Sequence, residues 1–154
     1  MGDFLVERLT SDRFLEVAEL EELCFSLPWS EKSLGLLTAD KNAGFVAIDK
    51  STGRVAAYGG MLVVLDEGQI TNVATHPDYR RRGLGESIVN ALVDYAESEA
   101  LVSISLEVRE SNSAAIALYR KLGFISVGVR KNFYSSPREN GIVMTKTIGE
   151  LTNS

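Results

Sequence analysis

The sequence predicts a mixed α/β fold, a mostly antiparallel sheet flanked by helices in the order β-α-α-β-β-β-α-β-α-β-β. Three observations carry the prediction. Four segments place apolar residues at helical spacing, while seven others alternate or run continuously apolar over strand-like lengths. Three of the strands follow one another through short turns, which only antiparallel neighbours permit. A strand, a long amphipathic helix and a further strand come next, and that succession implies a parallel crossover.

Taken in order, residues 4–9 read as a short strand. Ser11 or Asp12 can cap a helix whose apolar positions are Phe14, Val17, Ala18, Leu20, Leu23 and Cys24. The run Phe25-Ser26-Leu27-Pro28-Trp29 breaks that helix. Ser30 caps a second helix, with Trp29 and Leu34 at the two positions of a hydrophobic staple. Residues 44–49 and 54–65 form a hairpin through Lys50-Ser51-Thr52-Gly53, and Asp66-Glu67-Gly68 turns the chain into a strand over 69–75. After a loop over 76–82, a helix over 84–98 lines one face with Ile88, Val89, Leu92, Val93 and Ala96. Residues 102–108 read as a buried strand. Asn112 or Ser111 caps a helix over 114–122, and Gly123 ends it in the left-handed conformation. Strands over 124–133 and 141–147 close the order.

The chain has 154 residues, 45% hydrophobic and 24% charged, with 16 Lys+Arg against 21 Asp+Glu for a net charge of −5. A chain of this length withdraws roughly 70% of its unfolded surface on folding, so residues 1–154 are expected to form a single domain. The apolar content excludes a disordered chain. Cys24 is the single cysteine, so no disulfide framework exists within the chain, and a reducing, cytoplasmic setting is expected. The apolar stretch over 55–65 falls far short of the roughly 20 residues that span a bilayer. The charged N-terminal residues do not fit a signal peptide, and Val6 stands where a myristoylation signal needs Ser or Thr. Neither a membrane nor, given the net acidity, a nucleic acid is an expected partner. His76 is the single histidine and gives no metal site. Cys24 reads as a small buried apolar residue without the histidine partner that a thiol nucleophile needs, and Tyr58 and Tyr79 carry no functional signal.

In this acidic chain Arg80, Arg81 and Arg82 are consecutive and lead directly into Gly83-Leu84-Gly85 at the start of a helix. The first N–H groups of a helix have no internal partners, and the helix dipole puts partial positive charge there. Glycines let a phosphate approach the backbone and arginines add full charge, so a diphosphate-bearing ligand suits the loop. An exposed basic turn suits it equally on these grounds. Two familiar phosphate loops do not fit. A Walker loop needs Gly-Lys-Ser/Thr, but Gly85 is followed by Glu86-Ser87. A dinucleotide fingerprint needs a third small residue where Ile88 stands, and it opens a parallel unit rather than following an antiparallel meander.

The run from Gln69 through Val73-Ala74-Thr75 to Arg80-Arg81-Arg82-Gly83-Leu84-Gly85 closely resembles the acetyl-CoA-binding motif of the GCN5-related N-acetyltransferases, Arg/Gln-x-x-Gly-x-Gly/Ala. The element order is also that family's, so the resemblance covers nearly the whole chain and implies the acyl-CoA N-acyltransferase fold, with acetyl-CoA as acetyl donor. It implies that the backbone of Val73, Ala74 and Thr75, chiefly Val73 and Thr75, pairs with the pantetheine arm. Arg81, Arg82, Gly83, Leu84, Gly85 and Glu86 would wrap the pyrophosphate, although the Glu86 carboxylate opposes phosphate unless it points away and merely favours the helix N-terminus. The stretches Cys24 to Ser30 and Leu106 to Tyr119 resemble the ribosomal-protein-alanine N-acetyltransferases, the RimI type. So does Arg130-Lys131-Asn132-Phe133-Tyr134, with Phe133 in place of one tyrosine. The likeness implies a cofactor contact from Asn112 and substrate contacts from Phe25, Pro28, Trp29 and Tyr134.

An amine that attacks a thioester must be neutral, and the departing thiolate must be protonated. A terminal amine is only about one-tenth neutral at pH 7. Glu107, on a strand bordering the cofactor, is the candidate base, and Tyr119, one turn before a helix end, is the candidate acid. The resemblance assigns both residues these roles and gives Tyr119 a cofactor contact; otherwise Glu107 is a solvated charge and Tyr119 a core aromatic. The expected acceptor is a protein N-terminus, ribosomal by resemblance. A small-amine or lysine acetyltransferase, or a CoA-binding sensor without catalysis, are the alternatives.

Overall fold

The computed structural model describes residues 2–135 and 137–149. Among them, seven strands form one sheet in the order β1-β2-β3-β4-β5-β7-β6. These are β1 (Phe4–Arg8), β2 (Ala43–Asp49), β3 (Val55–Val64), β4 (Glu67–Thr75), β5 (Ser103–Arg109), β6 (Ile125–Tyr134) and β7 (Glu139–Thr147). The helices are α1 (Phe14–Cys24), α2 (Glu31–Leu34), α3 (Leu84–Ser98) and α4 (Ser113–Lys121). All neighbouring strands are antiparallel except β4 and β5, which the α3 crossover makes parallel. The element order is the expected one. Among the described residues no helix is long and apolar enough to cross a membrane.

Several element ends differ from expectation for local reasons. Neither Ser11 nor Asp12 caps α1: a 3₁₀ turn, Ser11–Arg13, precedes it, and the Asp12 carboxylate accepts from the Thr10 hydroxyl instead. Ser30 does cap α2, its Oγ accepting the Ser33 N–H at 3.2 Å, and Trp29 and Leu34 share one apolar cluster. That helix is one turn long, continued by a 3₁₀ turn, Gly35–Thr38. The β3–β4 turn tightens to residues 65 and 66, with Leu65 at φ +58°, so Glu67 and Gly68 join the strand. Tight hairpin turns need a positive φ, and the strand twist rewards them.

Different helices cover the two faces of the sheet. On one, Ile104, Leu106 and Val108 of β5 pack with Ile88, Val89 and Leu92 of α3. On the other, Val17 and Leu20 of α1 pack with Leu34, Val46, Ile48 and Tyr58. The buried stripe of α1 is not the expected one. Leu23 is 58% exposed, and Glu21 is fully buried in the stripe that a helix builds from Val17, Leu20, Glu21 and Cys24.

The sheet opens at one place. β4 and β5 pair only through Glu67–Gln69 and Ser103–Ser105. Just beyond, Gly60 pairs with Asn72 but Met61 with Ile70, which leaves Thr71 as an extra residue in β4. Such a bulge bends its strand. The outer edge of β4 from Ile70 to Thr75 therefore parts from β5, while β5 continues along β7 to Arg109.

Candidate active site

The gap between β4 and β5 exposes main-chain hydrogen-bonding groups. The His76 N–H bonds the Ala56 carbonyl at 2.8 Å, and Ala74 and Asn72 stand opposite Tyr58 and Gly60. In an antiparallel ladder alternate residues bond the same neighbour, so the backbone of Val73 and Thr75 faces the gap. The Thr75 carbonyl accepts from Arg80 Nε at 3.2 Å and from Cys24 Sγ at 3.5 Å, which leaves its N–H for a ligand. Ala74 corrects an expectation. Its backbone turns to β3 and its side chain is buried in the α1 core, so strand alternation removes it from the gap.

The loop into α3 holds its shape through two left-handed residues, Arg81 at φ +67° and Gly83 at φ +76°. Arg80 folds back onto Thr75 and Cys24, and the Arg82 guanidinium lies 5.5 Å from the centre of the Tyr79 ring. Bonding within α3 starts with Ser87 N–H to the Gly83 carbonyl at 3.1 Å, so the N–H groups of Leu84, Gly85 and Glu86 lack helical partners. Positive φ belongs to Gly83 and not to Gly85, where a β-carbon would only touch Leu118 Cδ2 at 3.6 Å. The Glu86 carboxylate does point away, 2.8 Å from Lys121 Nζ of α4. A strand edge with free backbone, three unpartnered N–H groups and exposed arginines fit a ligand with an amide-bearing arm and a diphosphate.

Beside the bulge lies a cleft of about 610 Å³. Phe25 and Trp29 wall it from the segment between α1 and α2, Asn72 and Val73 from β4, Asn112 and Tyr119 from α4, and Phe133 and Tyr134 from β6. Pro28 is exposed and does not line it; Leu27 does. Asn112 caps α4, its Oδ1 accepting the Ala115 N–H at 3.1 Å, which leaves its amide nitrogen for the cleft. Tyr119 is 7% exposed and packs edge-on to Phe124 with ring centres 5.6 Å apart. Its hydroxyl has no hydrogen-bond partner among the described residues. Burial, with Tyr134 adding to it, pushes its pKa up to about 12.

Glu107 does not line the cleft. It alternates with the buried Leu106 and Val108, emerges on the face away from α3, and pairs with Arg130 Nε at 2.6 Å. Its charge reaches Tyr134, whose pKa is raised first by burial and then by that carboxylate. The candidate base thus stands next to the cleft and holds a cation of its own.

Four residues carry more structure than expected. Glu21 accepts from the Tyr58 hydroxyl, from Asn72 Nδ2 at 2.7 Å and from the Trp29 N–H at 2.9 Å. Arg109 donates to the Ser135 and Pro137 carbonyls at 3.3 and 2.9 Å, pairs with Glu139 at 3.2 Å and lies 4.5 Å from the Tyr134 ring centre. The Tyr79 hydroxyl donates to Asp49 at 2.6 Å and holds that carboxyl down to about 2. Cys24 is half-buried rather than buried, its thiol pushed up by burial. His76 is a turn residue, Nδ1 accepting the Asp78 N–H at 3.0 Å. Helical spacing alone marks Glu21, because Val17, Leu20, Glu21 and Cys24 share one face; Arg109 has no such local mark.

The sequence matches the Acetyltransferase (GNAT) family over residues 14–124. The chain belongs to that family. It is an acetyl-CoA-dependent N-acetyltransferase. It is 39% identical over 142 residues to the [ribosomal protein bS18]-alanine N-acetyltransferase of Salmonella typhimurium strain LT2, covering 84% of this chain and 88% of that protein. The crystal structure of the ribosomal-protein-S18-alanine N-acetyltransferase from Escherichia coli superposes with a TM-score of 0.89 at 33% identity, over 98% of this chain and 97% of that one. A GNAT phosphinothricin acetyltransferase from Sinorhizobium meliloti, solved with acetyl-CoA, shares the fold at a TM-score of 0.84 and 19% identity, over 98% and 92% of the chains. The β4 edge with the α3 N-terminus forms one end of the site, and the aromatic-walled cleft the other.

Proposed function

We propose that this enzyme acetylates the N-terminal α-amine of a protein, a ribosomal protein beginning with alanine in the first instance, in the cytoplasm. The observation that carries the reading is the meeting of three distant segments in one cleft. Residues 25–29, 108–119 and 133–134 all contribute to its wall, and these are the segments whose sequence resembles the ribosomal-protein-alanine enzymes. The 39% identity to such an enzyme supports it.

Val73, Thr75 and the N–H groups of Leu84 to Glu86 hold the donor, with Arg81 and Arg82 adding charge. Acetyl-CoA supplies a thioester whose carbonyl carbon accepts the amine. Phe25, Trp29 and Tyr134 flank the incoming terminus, and Asn112 meets the donor from the α4 side. Glu107 takes one proton from the ammonium, directly or through water, and so supplies the neutral amine that forms the new C–N bond; the nitrogen releases its second proton to water as the amide forms, and Glu107 returns its own to solvent. Tyr119 gives its hydroxyl proton to the sulfur as the C–S bond breaks and regains it from solvent. A phenol pushed up to about 12 stays protonated throughout the neutral range, which suits a donor.

The test is direct. Purified enzyme is incubated with ribosomal proteins, or with a peptide beginning with alanine, and isotopically labelled acetyl-CoA, and the products are sequenced by mass spectrometry. Label on the α-amine is expected. Label confined to lysine side chains, or to small amines added in competition, would overturn the reading.

A further inference from the structure

Among the described residues, Glu21 is the only charged or polar residue fully withdrawn from water, and no Lys, Arg or His pairs with it. A lone buried carboxylate is a poor stabiliser: desolvation opposes it, and apolar side chains of similar volume commonly replace such groups without loss. Its three hydrogen bonds point to another role. They run to three separate elements: the Tyr58 hydroxyl on β3, Asn72 Nδ2 on β4 at 2.7 Å, and the backbone N–H of Trp29 between α1 and α2 at 2.9 Å. Asn72 and Trp29 both wall the cleft, and Asn72 precedes Val73, whose backbone faces the donor gap.

We propose that Glu21 is a positioning residue that sets the acceptor wall against the donor strand, joining Trp29 to Asn72 from beneath the cleft floor. The proposal rests on the assignment of the acceptor end given above. Glu21 touches neither the donor site nor the cleft; it acts through the two residues that it ties. Segment 25–29 has no helix or strand of its own, so the Trp29 N–H bond to a buried anchor limits how far that wall can move. One carboxylate can serve all three donors because it only accepts and offers about four lone-pair directions. The Asn72 amide is oriented by its bond to Glu21, and its Oδ1 has no partner among the described residues.

Trp29 is the only tryptophan in the chain, so intrinsic fluorescence reports the anchored wall without any acceptor present. The test compares wild type, Glu21→Ala, Glu21→Asp and Glu21→Gln. Circular dichroism checks folding, calorimetry gives CoA affinity, acrylamide quenching follows Trp29, and steady-state kinetics use a peptide beginning with alanine. Misplacing a substrate-positioning group by about an ångström is a large kinetic effect, so folded Glu21→Ala should raise peptide KM about tenfold and keep CoA affinity within about twofold. Trp29 should become more quenchable in parallel. Glu21→Asp keeps the charge but loses one methylene of reach, and should fall between wild type and alanine. Glu21→Gln can still accept the Trp29 N–H and should recover most of both readouts. Wild-type quenching and peptide KM in folded Glu21→Ala, or in Glu21→Asp if alanine does not fold, would overturn the proposal. So would a loss of CoA affinity equal to the rise in peptide KM, which indicates general loosening. If wild type fails to acetylate the peptide, the acceptor assignment falls, and the quenching series still decides whether Glu21 holds Trp29.

Discussion

At the donor end the groups offered to a ligand are main-chain atoms: the β4 edge at Val73 and Thr75 and the first N–H groups of α3. At the proposed acceptor end they are side chains on the segment between α1 and α2 and at the last residue of β6, held by long-range anchors. Trp29 is tied to Glu21, and Tyr134 lies under Arg109, which also grips the Ser135 and Pro137 carbonyls. Backbone groups on a strand and a helix are placed by regular geometry, so a short motif suffices to build the donor end. Side chains on loops need partners from elsewhere in the chain, so the acceptor end can be retuned without disturbing the donor end. On the proposed assignment the difference teaches where specificity resides: a common donor is read by backbone, and a particular acceptor by packing.

The largest expected effect would break the division between binding and chemistry. Tyr119→Phe keeps the ring against Phe124 and removes the proton donor, so kcat should fall on the order of 10²-fold, about 3 kcal/mol, with CoA affinity unchanged. Rates with an acyl donor whose thiol is more acidic should recover part of the loss. Because the folded phenol lies at about 12, above its ordinary value, it stays a donor until pH rises toward that value, and the kcat profile should show no falling limb from Tyr119 below about pH 10. Wild-type turnover in folded Tyr119→Phe removes the tyrosine from the mechanism.

The donor end can be sharpened with its two glycines, which the structure separates. Gly85→Val should weaken CoA about thirtyfold, on the order of 2 kcal/mol of lost charge-assisted hydrogen bonds, because it adds bulk beside the N–H groups of Leu84 to Glu86 that a phosphate would approach. Gly85→Ala should leave thermal stability unchanged or raised, as its φ is ordinary and alanine favours helices. Gly83→Ala, at φ +76°, should cost about 1–2 kcal/mol of stability, read as a lowered Tm. Equal affinity of wild type for CoA and for dephosphorylated pantetheine would mean that the loop holds no phosphate.

Glu107→Gln tests whether the base works at the acceptor end alone. A terminal amine is about one-tenth neutral at pH 7, so if Glu107 only removes its proton, the rate deficit is capped near tenfold there and closes by about pH 9. CoA affinity should not change. A deficit that stays constant from about pH 6 to 10 assigns Glu107 a positioning role through Arg130 instead.

The smallest effect joins α3 to α4 beneath the donor loop. Lys121 is 65% exposed and its ion pair with Glu86 is solvated, so Lys121→Ala should change stability by less than about 1 kcal/mol. It frees the Glu86 carboxylate near the phosphate loop, and CoA affinity should drop about twofold at low salt and recover as salt screens the repulsion. A salt-independent loss would point to packing rather than charge.

The geometry of the proposed donor end was legible in the sequence because every relation it needs spans a few residues. The alternation that turns Val73 and Thr75 to the gap, the glycine that starts α3, and the caps at Ser30 and Asn112 all follow from backbone periodicity and local hydrogen bonding. The same alternation, applied further, would have excluded Ala74. The wall of the proposed acceptor end was legible in part of its membership but not in its arrangement. Phe25, Trp29 and Tyr134 line the cleft as expected, while Pro28 faces solvent and Leu27 takes its place.

By itself, then, the amino-acid order determined the succession of strands and helices, the parallel crossover and the glycine turn proposed to hold phosphate, since each depends on neighbours within one or two turns of chain. Only the tertiary structure decided which charges find partners. Glu107 meets Arg130 across β5 and β6, Arg109 meets Glu139 across 30 positions, and Glu21 meets Asn72 across 51. It also decided that a single extra residue at Thr71 opens the sheet. A charged side chain can be solvated, paired or buried with equal local sequence, and the choice falls to whichever segments the packed sheet brings within hydrogen-bond reach.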